Sequence, residues 1–350
     1  MKKKLFVFIL GLTTLAMVLP CQGECAQKKV WRLSTSSEGT ITYTVAVGLA
    51  KIISDYVKDV RIIASAVQSP AAAYHLFEDG EFDATYGATI LMAHAWNNTG
   101  VYAKKPLNYR PYTGLFLWGG TQFFMTRADR TDIKSLADFS GKKVFPWRTG
   151  GAANDTARLV LGALGLWDKI KDVQLDRSEV ADALKMGTID AFMTYTAGKA
   201  GIPSWMQDVA LRVKLRVLNP SDQEKRVIEK LPGIFIRSLD PSVPYKKKPP
   251  VISDASGEMW TYGGYHGFHF APYLDEEAVY NVAKAWFEHA DEVSKIHGGL
   301  REFAKDKYEM QTIAIDTISH VPVHPGVAKY LKEKGIWKDT WTEGKKEPRP

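Results

Sequence analysis

The sequence predicts an α/β protein made of two similar units, and three observations indicate it. The order strand, glycine-bearing loop, helix occurs twice, beginning at Val30 and at Lys143. Each run closes on a Gly-x-x-Asp turn before a strand, at 80–83 and at 187–190. A long apolar segment, 112–126, lies between the two runs. Repeated β–α–β order is typical of parallel strands with crossover helices, so we expect two such units joined by a crossing strand.

The first 26 residues have the pattern of a secretory signal and not of a folded element. Lys2–Lys4 precede the apolar run Leu5–Leu19, which is too short to span a membrane comfortably. Lipidation at Cys21 stays open as an alternative form of processing. We therefore expect an exported, periplasmic protein whose signal peptide is 1–26.

Charge and cysteine content exclude several classes of protein. The whole chain carries a formal charge of +7, and removal of residues 1–26 takes away three lysines and one glutamate, leaving +5. This mild excess favours small anionic ligands and does not indicate a nucleic-acid-binding protein. The two cysteines, Cys21 and Cys25, lie at the signal boundary. The rest of the chain therefore has neither a disulfide framework nor a cysteine nucleophile or metal ligand.

The elements of each unit follow from apolar spacing and from glycine, proline and cap residues. The first unit is predicted as a strand at Val30–Ser34, a helix at Ile41–Val57, a strand at Val60–Ala64, a helix at Pro70–Phe77 and a strand after Gly80. The second unit is predicted as a strand at Lys143–Phe145, a loop at 146–153, a helix from Asn154 or Asp155, a strand at Val173–Leu175, a helix at Ser178–Met186 capped by Ser178, and a strand after Gly187.

Two crossings between the units predict a hinge. The segment 112–126 is the first, and the half-buried pattern of Leu211–Leu218 predicts a strand that carries the chain back. Lobe one is then 27–120 plus 214–350, and lobe two is 121–213. The later part of the chain is predicted as a solvated loop at Ser221–Pro250, an aromatic strand at Tyr262–Phe270, an amphipathic helix at Asp275–His289 and a turn followed by a helix in the tail.

Ligands of parallel sheets bind beyond the carboxyl ends of the strands. In this chain those ends carry the loops at 34–40, 86–89, 146–153 and 195–198, and two facing units would bring all four to one cleft. For several of their residues a packing role stays open beside the ligand-binding one. The candidate ligand-binding residues are Ser36, Ser37, Glu38, Thr40, Tyr43, Tyr86, Thr89, Trp147, Arg148, Thr149, Gly150, Gly151, Asn154, Tyr195 and Thr196.

Arg148 is the leading candidate among these residues. A guanidinium beside a glycine loop and a helix N-terminus can bind a carboxylate through two hydrogen bonds. Glu38 would repel an anion unless it binds an ammonium group of the ligand or pairs with Arg148 across the closed cleft. Both arrangements of Glu38 stay open as hypotheses.

The sequence shows no catalytic constellation. It has no Gly-x-Ser-x-Gly elbow, no Walker loop and no His-Glu-x-x-His motif. The pairs His266/His269 and His320/His324 lack a third ligand at metal-binding spacing. Asp83 and Asp190 occupy equivalent positions at strand starts, away from the predicted cleft, so we expect a structural role for both. We therefore predict a protein that is not an enzyme and has no cofactor or metal.

Several segments resemble the TAXI-type solute receptors of TRAP transporters. The C-terminal motif is the most specific, the two Gly-x-x-Asp turns the least, and together the matches span nearly the whole mature chain. They are Gly39–Tyr43 with Gly48–Lys51, the turns at 80–83 and 187–190, Leu136–Val144, and His324-Pro325-Gly326 with Tyr330 and Lys332–Ile336.

This resemblance implies a type II periplasmic-binding-protein-like fold, with two α/β lobes joined by a hinge that close on a small solute. It also implies an organic anion or amino acid as ligand and TRAP membrane permease subunits as partners. The chain departs from the family where Trp147 and Arg148 replace a glycine pattern, so the usual ligand is not assumed. The alternatives are an ABC-type or sensor-linked binding protein and an exported enzyme on the same fold.

Overall fold

The computed structural model describes residues 28–350 except 37, 39, 68, 150, 151, 200 and 246–248. Within these residues the strands are β1 Lys29–Thr35, β2 Val60–Ala66, β3 Ala84–Ala88, β4 Tyr112–Arg127, β5 Lys143–Phe145, β6 Lys171–Asp172, β7 Ala191–Ala197, β8 Leu215–Leu218, β9 Phe235–Leu239, β10 Val251–Ile252 and β11 Met259–Phe270. The α-helices are α1 Ile41–Tyr56, α2 Pro70–Glu78, α3 Thr89–Asn97, α4 Ala152–Ala163, α5 Val180–Met186, α6 Ser204–Arg212, α7 Asp222–Ile228, α8 Glu276–Glu288, α9 Ala290–Ile296, α10 Arg301–Asp316 and α11 Pro325–Glu333.

The strands form one continuous sheet that passes through both units. Its central path is β2-β1-β3-β11-β4-β7-β5-β6. At one end β1 runs parallel to β2 and to β3, and at the other end β5 runs parallel to β6 and to β7. The two parallel α/β units predicted from the sequence are therefore confirmed, and the α/β fold class with them.

Two antiparallel strands connect the units. β4 pairs with β11 through its first part and with β7 from Gly120 to Thr126, so it crosses between the units as predicted. The prediction that 211–218 carries the chain back is wrong. Residues 211 and 212 end α6, and β8 pairs with the last four residues of β4 on the side of the second unit. The return crossing is β11.

The clusters of buried apolar residues indicate where the boundary between the lobes lies. The first core cluster draws mainly on residues before 119 and after 264, and it includes Trp31, Phe116 and Trp286. The second and third clusters draw mainly on residues from 123 to 262, and they include Leu218 and Met259. The lobe limits drawn from the sequence stay a proposal, and these contacts favour moving the return to lobe one from residue 214 to β11.

Three predicted local features differ in the structure. The strand expected at 173–175 forms instead at β6, because Lys171 and Asp172 pair with β5. The helix expected from Ser178 begins as a 3-10 turn capped by Asp176, whose side chain and that of Glu179 form a capping box. The segment 221–250, expected as a solvated loop, contains α7 and β9, and Ser221 and Glu224 form a capping box at the start of α7.

Asp83 and Asp190 play the same structural role in the two units. Each aspartate donates its backbone N–H to the backbone carbonyl of a residue in the unit's first strand, Asp83 to Arg32 and Asp190 to Lys143. Each carboxylate also accepts from that residue's backbone N–H, at 2.7 Å for Arg32 and 2.8 Å for Lys143. The predicted structural role is confirmed, because both carboxylates satisfy a buried strand edge.

The N-terminal segment lies outside the described residues, so the signal peptide stays a prediction. In the part of the chain that the structure describes, none of the helices combines the length and the apolar character that crossing a bilayer requires.

We predict that Asp190→Ala destabilises the second unit by about 1–3 kcal/mol, because it leaves the Lys143 N–H and the Arg130 guanidinium without their buried acceptor. The Arg130 Nη1–Asp190 Oδ1 distance is 2.5 Å, and Asp190 is largely buried. Urea unfolding measures the effect. Asp129→Ala is the matched control, because exposed Asp129 pairs only with Arg127 among the described residues. Equal changes in the two variants would contradict this role for Asp190.

Candidate functional site

The carboxyl ends of the two parallel units meet at the middle of β4. β3 ends at Ala88, which lies opposite His266 of β11, and His266 lies opposite Trp118 of β4. β7 ends at Ala197, which lies opposite Gly120 of the same strand. Since β3 and β7 are separated by two antiparallel neighbours, they run in opposite directions and point toward each other. The ends of β3 and β7 therefore face each other across the middle of β4, and we take the space between them as the candidate cleft.

The floor of this cleft is aromatic. The Trp118 indole Nε1–H donates to the Tyr86 hydroxyl over 2.7 Å. His266 stacks on Trp118 with ring centroids 4.3 Å apart and an angle of 7° between the planes. Burial raises the pKa of Tyr86 well above its ordinary value. Tyr86, a candidate ligand contact, is thus buried and already holds Trp118 in place.

The lobe-two wall is built around Trp147, which is one of two described non-glycine residues with positive φ, at 83°. Side chains bearing a Cβ rarely adopt this conformation, and such strain concentrates at functional sites. The Trp147 carbonyl accepts from Asn154 Nδ2 at 3.0 Å and Gln174 Nε2 at 3.3 Å. Its ring packs against Tyr195 and Trp205 at 5.4 and 5.7 Å between centroids. Trp147 is therefore held in a strained conformation by contacts of both its backbone and its ring.

Two arginines flank Trp147 in different electrostatic settings. Arg148 Nη1 lies 3.1 Å from Asp176 Oδ1, and both side chains are more than half exposed. The hypothesised Glu38–Arg148 pair is not formed in this structure. Arg177, which sequence reasoning missed, places its guanidinium 5.8 Å from the centroid of the Trp147 ring. Burial raises the pKa of Tyr195, and the charge of Arg177 and its hydrogen bond to the hydroxyl oppose that rise.

The lobe-one wall starts at the N-terminus of α1. Thr40 caps this helix: its hydroxyl accepts from the Tyr43 backbone N–H at 3.2 Å and shares a hydrogen bond with Ser36 over 2.7 Å. Glu38 is exposed and Tyr43 is half-buried. The predicted residues Ser37, Gly150 and Gly151 lie outside the described part of the chain.

The hydroxyl groups of two predicted threonines already form hydrogen bonds within the protein. The Thr89 hydroxyl donates to the Gly233 carbonyl at 2.5 Å and accepts from the Tyr265 N–H at 3.1 Å. The Thr196 hydroxyl donates to the Gly198 carbonyl at 2.7 Å and also bonds to Thr121. Both side chains are fully buried. Their position at strand ends made them candidates, but their contacts show that they join the crossing strands to the lobes.

A cavity of about 980 Å³ opens between α3 and α4, one helix from each unit. Thr149 and Asn154 line it, as do His94, Asp155 and Arg158. Burial raises the pKa of Asp155 to about 6, against the opposing charge of Arg158. The cavity therefore presents hydrogen-bonding groups and an acid that is costly to ionise, next to the loop that carries Trp147.

His269, one of the four paired histidines, is held inside the sheet. His269 is fully buried, with Nδ1 3.4 Å from the Gly114 N–H nitrogen and Nε2 3.3 Å from the Gly87 carbonyl oxygen. Across residues 28–350, apart from the nine positions left undescribed, no three His, Cys, Asp or Glu side chains are grouped to hold a metal ion.

Residues 33–335 match the NMT1-like family, which covers most of the chain. The chain belongs to this family. Among similar solved structures are sulfonate-binding proteins named SsuA. The one from Methylobacillus flagellatus has a TM-score of 0.47 and 15% identity, with 92% of this chain and 99% of that chain covered. The one from Escherichia coli has a TM-score of 0.41 and 14% identity, with 87% and 84% covered.

A third similar structure is the probable amino-acid ABC transporter extracellular-binding protein YtmK from Bacillus subtilis. Its TM-score is 0.44 and its identity 11%, with 77% of this NMT1-like chain and 96% of that chain covered.

We predict that the Asp155→Asn variant of this NMT1-like protein gains stability relative to wild type as the pH rises from 4 to 7. The pKa of the Asp155 carboxyl is about 6 in the folded protein against an ordinary 3.8. The free energy of unfolding of the wild type therefore falls as the pH rises through that window, because the unfolded chain ionises more readily than the folded one. The relative gain should be on the order of 1–2 kcal/mol. Thermal unfolding across pH measures it, with exposed Asp168→Asn as the control for carboxylate loss. A difference between Asp155→Asn and wild type that does not vary with pH would contradict this account.

Proposed function

We propose that this protein is an extracytoplasmic receptor that binds a small organic anion or amino acid between its lobes and delivers it to a membrane transporter. The observation that carries the proposal is the meeting of the two parallel units at Trp118–Gly120. Binding loops at the ends of both units there face one cleft. A solute bound at this point contacts both lobes at once.

The mechanism that we infer is closure by bending of the crossing strands. Gly264 of β11 lies opposite Gly120 of β4, and neighbouring Gly263 lies opposite Thr121. A Cβ on Gly263 would overlap the Gly120 carbonyl oxygen, so only glycine permits this approach of the two strands. A closed form that gains contacts from both lobes is favoured when solute is present, which shifts the population toward it.

The charges at the cleft favour an anionic group on the solute. Arg148 and Arg177 both lie at the Trp147 loop, and Arg177 has no carboxylate partner among the described residues. A hydrogen bond from such a cation to a carboxylate or sulfonate contributes about 1.5–3 kcal/mol. Asp155 in the adjoining cavity suits an ammonium group, which supports an amino acid as the second form of the ligand.

The type of transporter separates two versions of the proposal. The family match and the names of similar structures, which include ABC transporter binding proteins, fit the ABC alternative better than the TRAP receptor that the sequence motifs indicate. Solute uptake by cells that carry the receptor and its transporter distinguishes them. Uptake that depends on ATP supports the ABC version, and uptake that collapses with the ion gradient supports the TRAP version.

We predict that L-glutamate, succinate or ethanesulfonate, tested singly at millimolar concentration, raises the melting temperature in a concentration-dependent manner. Arg177→Ala should weaken binding of the active anion about tenfold or more, because it removes the arginine without a carboxylate partner. Arg148→Ala should weaken it less, since Asp176 already pairs with Arg148. Isothermal titration calorimetry gives the affinities.

The controls for this experiment follow from the same contacts. Arg212→Ala removes a cation of the same lobe that pairs with Asp182 and Asp208, and it should bind like wild type. A melting temperature that none of the three anions changes would overturn the anion receptor. An unchanged affinity in both Arg148→Ala and Arg177→Ala would overturn the role of these arginines.

A further inference from the structure

His266 occupies the point where the two lobes meet. Its backbone lies opposite Ala88, the last residue of β3, on one side and opposite Trp118 of β4 on the other. The pairing of β11 with β4 shifts register between His266 and Gly267, so the strand is irregular at this position. Such irregularities redirect side chains and occur beside binding sites. The imidazole therefore lies at the cleft floor and not within a continuous ladder.

The imidazole ring is fixed while its polar edge is unused. The ring stacks on Trp118 at 4.3 Å and lies 6.1 Å from the Tyr86 ring. The Trp118 N–H and the Tyr86 hydroxyl satisfy each other over 2.7 Å. His266 remains partly exposed, and neither of its nitrogens has a hydrogen-bond partner among the described residues. A partly buried polar group that is held rigidly and left without a protein partner is suited to a ligand.

A glycine leaves open the space beside this polar edge. Gly120 lies next to His266, and a Cβ added there would lie 3.0 Å from His266 Nε2. Burial lowers the pKa of His266 to about 4, so the ring is neutral near pH 7 and carries one N–H. A neutral N–H at the floor offers an anion a hydrogen bond without adding a charge.

We propose that His266 is a ligand-binding residue of the cleft, whose imidazole N–H donates a hydrogen bond to the carboxylate or sulfonate of the bound solute. This inference rests on the proposed function. His266 would then add a polar contact at the cleft floor to those of the arginines on the lobe-two wall. Gly120 would keep His266 Nε2 accessible, because it has no side chain.

The test compares three variants by calorimetry with L-glutamate, succinate and ethanesulfonate as probes. His266→Phe keeps a planar ring on Trp118 but removes the N–H, and it should weaken the active anion at least tenfold. His266→Gln restores an N–H near Nε2 and should recover part of the affinity. Gly120→Ala retains the imidazole but covers its edge, and it should also weaken binding at least tenfold.

The controls separate this inference from general damage and from the function itself. His289→Phe changes an imidazole that stacks on Tyr56, with centroids 3.4 Å apart, away from the cleft, and it should bind like wild type. Circular dichroism establishes that each variant is folded. If wild type binds an anion and a folded His266→Phe binds it equally well, or a folded His266→Gln binds it no better than His266→Phe, the inference is overturned while the receptor function stands. If wild type binds none of the probes, the anion receptor and this contact fail together.

Discussion

The structure depends on the antiparallel pairing of β4 with β11. A β–α–β unit places its binding loops at the carboxyl ends of its parallel strands. Two such units form a shared cleft only if one is reversed relative to the other. β4 and β11 provide this reversal, since β3 pairs with β11, β11 with β4, and β4 with β7, each in the antiparallel sense. The facing of the two sets of loops is thus a consequence of strand direction.

The crossing strands combine close approach with buried polar anchors. Glycines on both strands let the backbones meet where side chains would overlap. Around them, Thr89 bonds to Gly233 and to the Tyr265 N–H, and Thr196 bonds to Gly198 and Thr121. An unpaired buried hydroxyl is costly, so these bonds stabilise Thr89 and Thr196 in their positions beside the crossing strands. The apolar cores lie on either side of these strands, one cluster in the first unit and two in the second.

Local elements of the fold were predictable from the sequence, and long-range pairings were not. β5 occurs at Lys143–Phe145 as predicted, and α1 begins at Ile41, because apolar spacing and caps act over a few residues. The matching roles of Asp83 and Asp190 were visible as a repeated motif. The return strand was misassigned because alternating apolar and charged residues indicate a half-buried strand but do not indicate which strand pairs with it. The Asp176 partner of Arg148, and the position of Arg177 over Trp147, depend on contacts that the sequence does not show.

A solute that binds where β3 and β7 point at each other, across Trp118–Gly120, can be located directly. The most direct measurement is a crystal structure of the protein with the anion that most raises its melting temperature. We expect density for that anion between the lobes, in contact with the aromatic floor and with the Trp147 loop. Density for the anion only on the outer surface of one lobe, with the cleft unchanged, would contradict the account.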